Sequence, residues 1–549
     1  MGSKGPDQRA LIEQARAAHR EHRYDVAYDA LRAARELGAL GPEDVHRLAD
    51  AAWWLGLLPE CLRLTELAHR DFLATGHLDR AATQALDIGG MLAMRGEPAL
   101  ASAWLSRARR LLEGLPVGPA HGTLWYVDLS FALEEGRLDE AARTAEELRR
   151  LGQAHGHDEY VALGHLGQGL VLLRRGRVTE AFGQMDEAML LVVGGQVDPE
   201  WAGHICCMIV SACLDVADLN RARLCSEAAY RWLEDFEHAV MFTGVCRAHD
   251  VDLLVIEGDW AAAERKAELV VRDLADLNVE AVAEVEYQRG ECHRLRGEYN
   301  EAEVSYGRAA ALGCEPQPGT ALLALARGDV ATAWETVCDA AARAATDPFR
   351  SARLLRALVE IGVAAGHPDA AANAAVRLRE LADTFGTPGF QAWAAHCYGV
   401  VALARGDAAG ALAPLVRASS DFRRMRAWCD AAAADLLLSD VHATLGDAAK
   451  AEQYRDSAVA VFHRLGMPTP TVMPRPRSEL DGVLTAREAE ILARVATGAA
   501  NRDVAESLSI SEATVRRHLA NIYLKLEVRT RTAASAWAYR HGLVPEARA

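Results

Sequence analysis

Between residues 8 and 465 the chain repeats one register of glycine, small and apolar positions. A Gly, usually followed by Asp or Glu, stands five residues before an Ala, as in "RGEPALA", "GRLDEA", "GRVTEA", "GEYNEA", "GDVATA" and "GDAAKA". The Ala, or an equivalent small residue, falls at Ala27, Cys61, Ala101, Ala141, Ala181, Ala222, Ala263, Ala302, Ala333, Ala371, Ala411 and Ala451, with successive positions mostly about 40 residues apart. Positions four and seven beyond this marker, such as Met185 and Ala188 or Tyr306 and Ala309, fall on one face of a helix. The Gly tolerates the left-handed backbone that ends a helix, and the acidic residue after it suits the start of the next. The unit therefore predicts two antiparallel helices. Twelve residues before the marker a small residue often recurs (Gly89, Gly169, Gly290, Ala321, Gly399, Ser439), which lets the paired helices approach closely. Leu129, Val210, Val251 and Val359 break that rule, and their hairpins are expected to pack less tightly.

The pattern changes at residues 466–483. Pro468, Pro470, Pro474 and Pro476 oppose helix and favour an extended, semi-rigid connector there. A second helical region follows from 484 to 549. Thr485 and Glu488 form a T-x-x-E capping box before a helix carrying Ile491, Leu492 and Val495, closed by Gly498. Asn501 opens a short helix with Val504, Ala505 and Leu508. Ser511 caps a third helix, from about Glu512 to Leu526, and a fourth runs from about Arg531 to His541 before Gly542. Two helices joined by the tight turn "SIS" predict a helix-turn-helix, which sets its second helix in the DNA major groove.

A helical wheel places Val515, Leu519, Ile522 and Leu526 in one narrow arc facing the core. The opposite arc carries Ala513, Thr514, Arg517, Ala520 and Asn521, with Arg516 at its edge. An arbitrary arginine pair usually only solvates an exposed face. Here Arg516, Arg517, Lys525, Arg529 and Arg531 face a single acid, Glu527, over 514–531, and small Ala520 beside them permits close approach to base edges. The cap also aims the helix N-terminus outward, where its N–H groups favour a phosphate.

These residues carry two resemblances. The repeats resemble the tetratricopeptide family in a longer form of about forty residues. That implies an all-α fold, an α-solenoid of about twelve helical hairpins over 8–465, whose inner groove binds a protein segment or ligand. The segment 484–549 closely resembles the LuxR-type helix-turn-helix of bacterial transcription regulators, through Leu484, Thr485, Arg487, Glu488, Gly498, Asn501, Ala505, Leu508, Ser511, Thr514, Val515, Arg516, His518, Asn521, Ile522, Lys525, Leu526 and Arg531. The resemblance implies a four-helix DNA-binding domain with Arg516, Arg517 and Ala520 toward the bases. By the same resemblance Thr514, Lys525 and Arg531 touch or organise phosphates, Asn521 is open between DNA and helix support, and His518 packs or meets backbone phosphate. The chain departs from the pattern at Leu524, where the family often has a basic residue, and at Glu527, where it often has Gly.

Composition sharpens this picture. The 549 residues are 50% hydrophobic, too long for one core and too apolar for disorder. No apolar run approaches the roughly 18 residues of a spanning helix, and the N-terminus lacks a signal-peptide apolar core, so a cytoplasmic protein is expected. The formal charge of −17 is carried by the repeats, because 479–549 holds 10 basic and 9 acidic residues. Such an array should be repelled by DNA and leave contact to the tail. The 11 cysteines lie at scattered apolar positions without a C-x-x-C pair, so neither disulfides nor zinc are expected.

The chain resembles large MalT-like regulators but has no G-x-x-x-x-G-K-[ST] sequence for their ATPase, and its lysines are only Lys4, Lys266, Lys450 and Lys525. There is no H-E-x-x-H or G-x-S-x-G. "HGHDE" at 155–159 reads as a polar inter-helix loop, and Trp104, Trp260 and Trp334 as core. The expectation is therefore no enzyme and no cofactor or metal. Expected partners are double-stranded DNA and a protein, peptide or small molecule in the repeat groove, with homodimerisation on DNA inferred from the resemblance and from Ala534, Trp537 and Ala538. The competing reading is a scaffold whose repeats recruit a protein.

Overall fold

The computed structural model describes residues 7–236, 238–468, 484, 486–508, 510–526, 528 and 530–540. The chain divides into two compact units at Thr469/Pro470. Most of the proline-rich connector, the capping residue Thr485, and Glu527, Arg529, His541 and Gly542 lie outside the described residues.

The first unit is a tetratricopeptide-like α-solenoid. Among its described residues, twenty-four helices, α1 (Gln8–Arg20) through α24 (Ala448–Arg464), pair in order as twelve hairpins. Each marker residue lies on the second helix of its hairpin, and none is more than 8% exposed. Five residues earlier, ten of the twelve hairpins turn on a glycine with φ between +72° and +85°. His22 and Ala217 fill the other two positions and still adopt φ of +57° and +53°. The tight turn imposes the left-handed backbone whether or not the residue favours it. Asp218, Asp259, Asp329, Asp407 and Asp447 follow these turns and accept a backbone N–H from three residues on. Glu97 and Glu298, one methylene longer, make no such cap.

Within a hairpin, the position twelve before the marker faces the position four after it. A Cβ on Gly89, Gly169, Gly290 or Gly399 would come within 2.9 Å of Leu105, Met185, Tyr306 or Leu415 respectively. The hairpins expected to be loose are not. Where the first position is Leu129, Val210, Val251 or Val359, the second is Ala145, Ser226, Ala267 or Ala375, and the large residue is at most 1% exposed. Bulk has moved from one helix to the other with the contact kept full, because a close-packed interior conserves volume, not the identity of the residue supplying it.

The first helices of most successive hairpins pack on one another. The array also winds back on itself. Arg223 Nη2 donates to the Met425 carbonyl at 2.7 Å and Trp260 Nε1 to that of Leu465 at 2.5 Å, contacts spanning 202 and 205 residues. A Cβ on Gly389 would lie 2.4 Å from the Ala217 carbonyl oxygen. Packing continues past the last helix, with Met467 Sδ 3.4 Å from Cys429 Sγ. The loop read at 155–159 is shorter than its polar sequence suggested, since His155 ends α8 (Leu138–His155) and Asp158 starts α9 (Asp158–Arg174). All eleven cysteines are free. Among the described residues no helix is long and apolar enough to cross a membrane.

Candidate nucleic-acid interface

The second unit contains α25 (Ala486–Ala496), α26 (Asn501–Ser507), α27 (Glu512–Lys525) and α28 (Arg531–Arg540). Their apolar faces meet in one core made of Leu484, Ile491, Leu492, Val495, Val504, Ala505, Val515, Leu519, Ile522, Leu526, Ala534 and Ala538. Gly498, at φ +94°, lies in the turn after α25. The Ser511 hydroxyl accepts the Thr514 N–H at 3.1 Å and lies 2.8 Å from the Thr514 hydroxyl. The cap thus anchors the start of α27.

The wheel holds in three dimensions. Val515, Leu519, Ile522 and Leu526 are buried, while Ala513, Arg516, Arg517, Ala520 and Asn521 are exposed and Thr514 and His518 are half-buried. The outward face carries two guanidinium groups flanking small side chains. Leu524 joins this face and is 78% exposed, so the departure at this position places an apolar group where the family often has a cation.

Two of the predicted phosphate residues are tied into the unit itself. Lys525 Nζ lies 2.6 Å from Glu488 Oε2, and that carboxylate's side chain is only 5% exposed. Arg531 spans α26 and the turn before it, donating through Nη1 to Asn501 Oδ1 at 2.8 Å and through Nη2 to the Ala499 carbonyl at 2.5 Å. Arg487 likewise reaches from α25 to the Leu508 carbonyl at 2.9 Å, bracing the turn into α27. These braces recruit Arg487 and Asn501, and Glu488, read from the sequence as part of a capping box, also holds Lys525. Ala534 and Ala538 are fully buried and Trp537 packs against the same core, so they fill the unit's interior.

The architecture and polarity of this unit match a known regulatory family. The model "Bacterial regulatory proteins, luxR family" matches residues 482–538. The C-terminal unit is a LuxR-type helix-turn-helix domain. This LuxR-type domain is 44% identical over 68 residues to the response regulator protein VraR of Staphylococcus aureus (strain Mu3) and, at the same identity, to that of Staphylococcus saprophyticus. The match covers 12% of this chain and 32% of each relative, so the chain spans about a third of the length of these curated relatives. Among solved structures, a Rap protein complexed with competence and sporulation factor aligns over 70% of this chain and 98% of its own, at 13% identity and TM-score 0.36. The APC/C hetero-tetramer Cut9–Hcn1 aligns over 98% and 96%, at 15% identity and the same TM-score.

The array's interior holds chemistry that its repeat pattern did not reveal. Asp50, Asp87, Asp198 and Glu200 come together there from helices α3 (Pro42–Trp54), α5 (Leu78–Met94) and α11 (Pro199–Asp215) with its N-cap. Burial, reinforced by neighbouring acids, pushes the half-buried Asp87 carboxyl up to about 7, whereas Asp198 and Glu200 are solvent-exposed. Further along, Arg353 donates to the Leu214 carbonyl at 3.3 Å and lies near Asp215, Asp252 and Glu284. Burial raises the half-buried Asp215 to about 6 despite this arginine, and Glu284 is solvent-exposed. The interior is thus lined with carboxyls that outnumber the cations beside them. A 40-residue register cannot display this, because those residues meet only when distant hairpins curve round a common axis.

Proposed function

We propose that the chain is a sequence-specific DNA-binding transcription regulator, in which a signal in the repeat array controls the LuxR-type domain. The observation that carries this reading is the exposed face of α27, where Arg516, Arg517, Ala520 and Asn521 stand opposite a buried apolar stripe, behind a capped N-terminus. A groove-reading helix needs that combination: a packed back, a face free of bulk, and donors long enough to reach base edges. Arg517 and Arg516 are assigned to base edges, Ala520 to close approach, and Thr514 and Asn521 to the flanks of the same face. Lys525 and Arg531 are assigned to holding the reading helix in register, with phosphate contact through what they leave exposed.

The array is assigned the sensing role, binding a protein, peptide or small molecule in its interior, and the regulator is assigned to act as a homodimer on DNA. Support for the first comes from the half-buried and exposed carboxyls gathered on these helices, a surface suited to a signal bearing ammonium or guanidinium groups. Selection of binding sequences from a random DNA pool tests the whole reading, with full-length protein beside an Arg516→Ala/Arg517→Ala variant. Enrichment of a motif that the variant loses supports it, and half-sites about one helical turn apart support the dimer. Enrichment by neither the full chain nor 479–549 would favour the scaffold reading.

A further inference from the structure

Leu524, in the last turn of α27, is 78% exposed, more than any other large apolar side chain among the described residues. Every other large apolar side chain described in the C-terminal unit is buried in its core or packed against it, Tyr523 and Leu526 on either side of Leu524 included. Lys525 beside it is held by Glu488. The unit has therefore placed one bulky apolar group outside a core that takes in all the rest.

The helix sets the direction of that group. Leu524 stands three, four and seven residues after Asn521, Ala520 and Arg517, the spacings that bring side chains onto one face. On a wheel it falls between Ala520 and Arg517, in the middle of the outward arc. Ala520, one turn nearer the N-terminus, keeps the surface beside it low, so the leucine projects from the same face as the two arginines.

A major groove offers such a side chain one matching partner. Its floor presents hydrogen-bond donors and acceptors from every base pair and a single apolar group, the C5-methyl of thymine. Its rims are phosphates, whose hydration an apolar group would strip without replacing. Cytosine is a poor substitute for thymine, because it lacks the methyl and presents an amino donor that leucine would cover and leave unpaired.

We propose that Leu524 reads thymine, seating its isobutyl group against the C5-methyl in the major groove beside the base edges assigned to Arg516 and Arg517. The assignment rests on the DNA-reading role proposed for α27. It adds a position at which the operator is chosen by apolar contact and not by hydrogen bonds.

The test uses the full-length protein and a DNA site selected with it. Each thymine of that site is replaced in turn by deoxyuridine, which pairs identically and lacks only the methyl group. Affinities are compared for the parent chain, Leu524→Ala and Leu524→Met. With the parent, deoxyuridine at the contacted position should weaken binding by about three- to fivefold, the worth of one buried methyl. Leu524→Ala should bind the thymine site more weakly and be indifferent to the replacement, whereas Leu524→Met, of similar volume, should keep the sensitivity. Neither variant should shift thermal unfolding, because Leu524 belongs to no core. Equal effects of deoxyuridine on the parent and Leu524→Ala at every thymine would overturn the assignment while leaving α27 as the reader. Failure to select any sequence would overturn the DNA-reading role itself and this assignment with it.

Discussion

Lys525, at the last turn of α27, is held 2.6 Å from the buried carboxylate of Glu488 on α25, so the end of the reading helix is fastened to the back of its own domain. A lysine in this position serves the fold as well as any phosphate. Lys525→Ala should therefore lower the stability of the C-terminal unit by about 1–3 kcal/mol, the usual cost of taking a partner from a buried charged acceptor. Thermal unfolding of 479–549 without DNA checks this, and an unchanged midpoint would reduce the pair to a surface contact.

Arg517 should behave differently. Its side chain is exposed on α27 and belongs to no core, so Arg517→Ala should leave unfolding unchanged. On selected DNA it should cost about 1–3 kcal/mol and flatten discrimination between cognate and scrambled sequences. Equal loss on both sequences, read from binding isotherms at one salt concentration, would remove it from base reading.

Much of this site was legible beforehand. The arc of Val515, Leu519, Ile522 and Leu526, the Ser511 cap and the outward arginines follow from a 3.6-residue period, which operates within one helix. The partners of Lys525 and Arg531 lie 37 and 30 residues away, and no local period reports them.

The exchange of bulk between paired helices predicts a rescue. Gly399→Val would drive a side chain into Leu415, whose Cγ would lie 2.4 Å from the added Cβ, and should destabilise the array by about 1–3 kcal/mol. Leu415→Ala alone should cost about 2–5 kcal/mol through the cavity it opens. Together they recreate the Val251/Ala267 arrangement, so the double variant should be more stable than the sum of the two losses. Strict additivity in denaturant melts would show that the positions do not face each other energetically.

Half-buried Asp87 sets the sign of one pH effect. In the folded array Asp87 titrates at about 7, raised by enclosure and then by Asp50 against Arg80, whereas an unfolded aspartate titrates near 4. The folded chain thus holds the extra proton between these values, and stability falls as pH rises through that window. Asp215 acts in the same direction. His204, His249 and His396, which burial holds at about 4, pull the other way, so the carboxyl is read by difference. Relative to the parent chain, Asp87→Asn should gain stability on going from about pH 5.5 to about pH 8. An Asp87→Asn effect on melting temperature that is the same at both pH values would contradict the raised carboxyl.

The sequence by itself determined the hairpins, their turns and the helix-turn-helix. Each depends on interactions within a few residues: a glycine at positive φ, an aspartate capping three residues ahead, an apolar stripe along one helix. Tertiary structure decided which side of each hairpin supplies the bulk, why Leu129, Val210, Val251 and Val359 pack as tightly as the glycines elsewhere, and which carboxyls share the interior. It also decided that Arg223 reaches Met425. Those outcomes follow from volume and charge summed over helices brought together by curvature, which no single repeat contains.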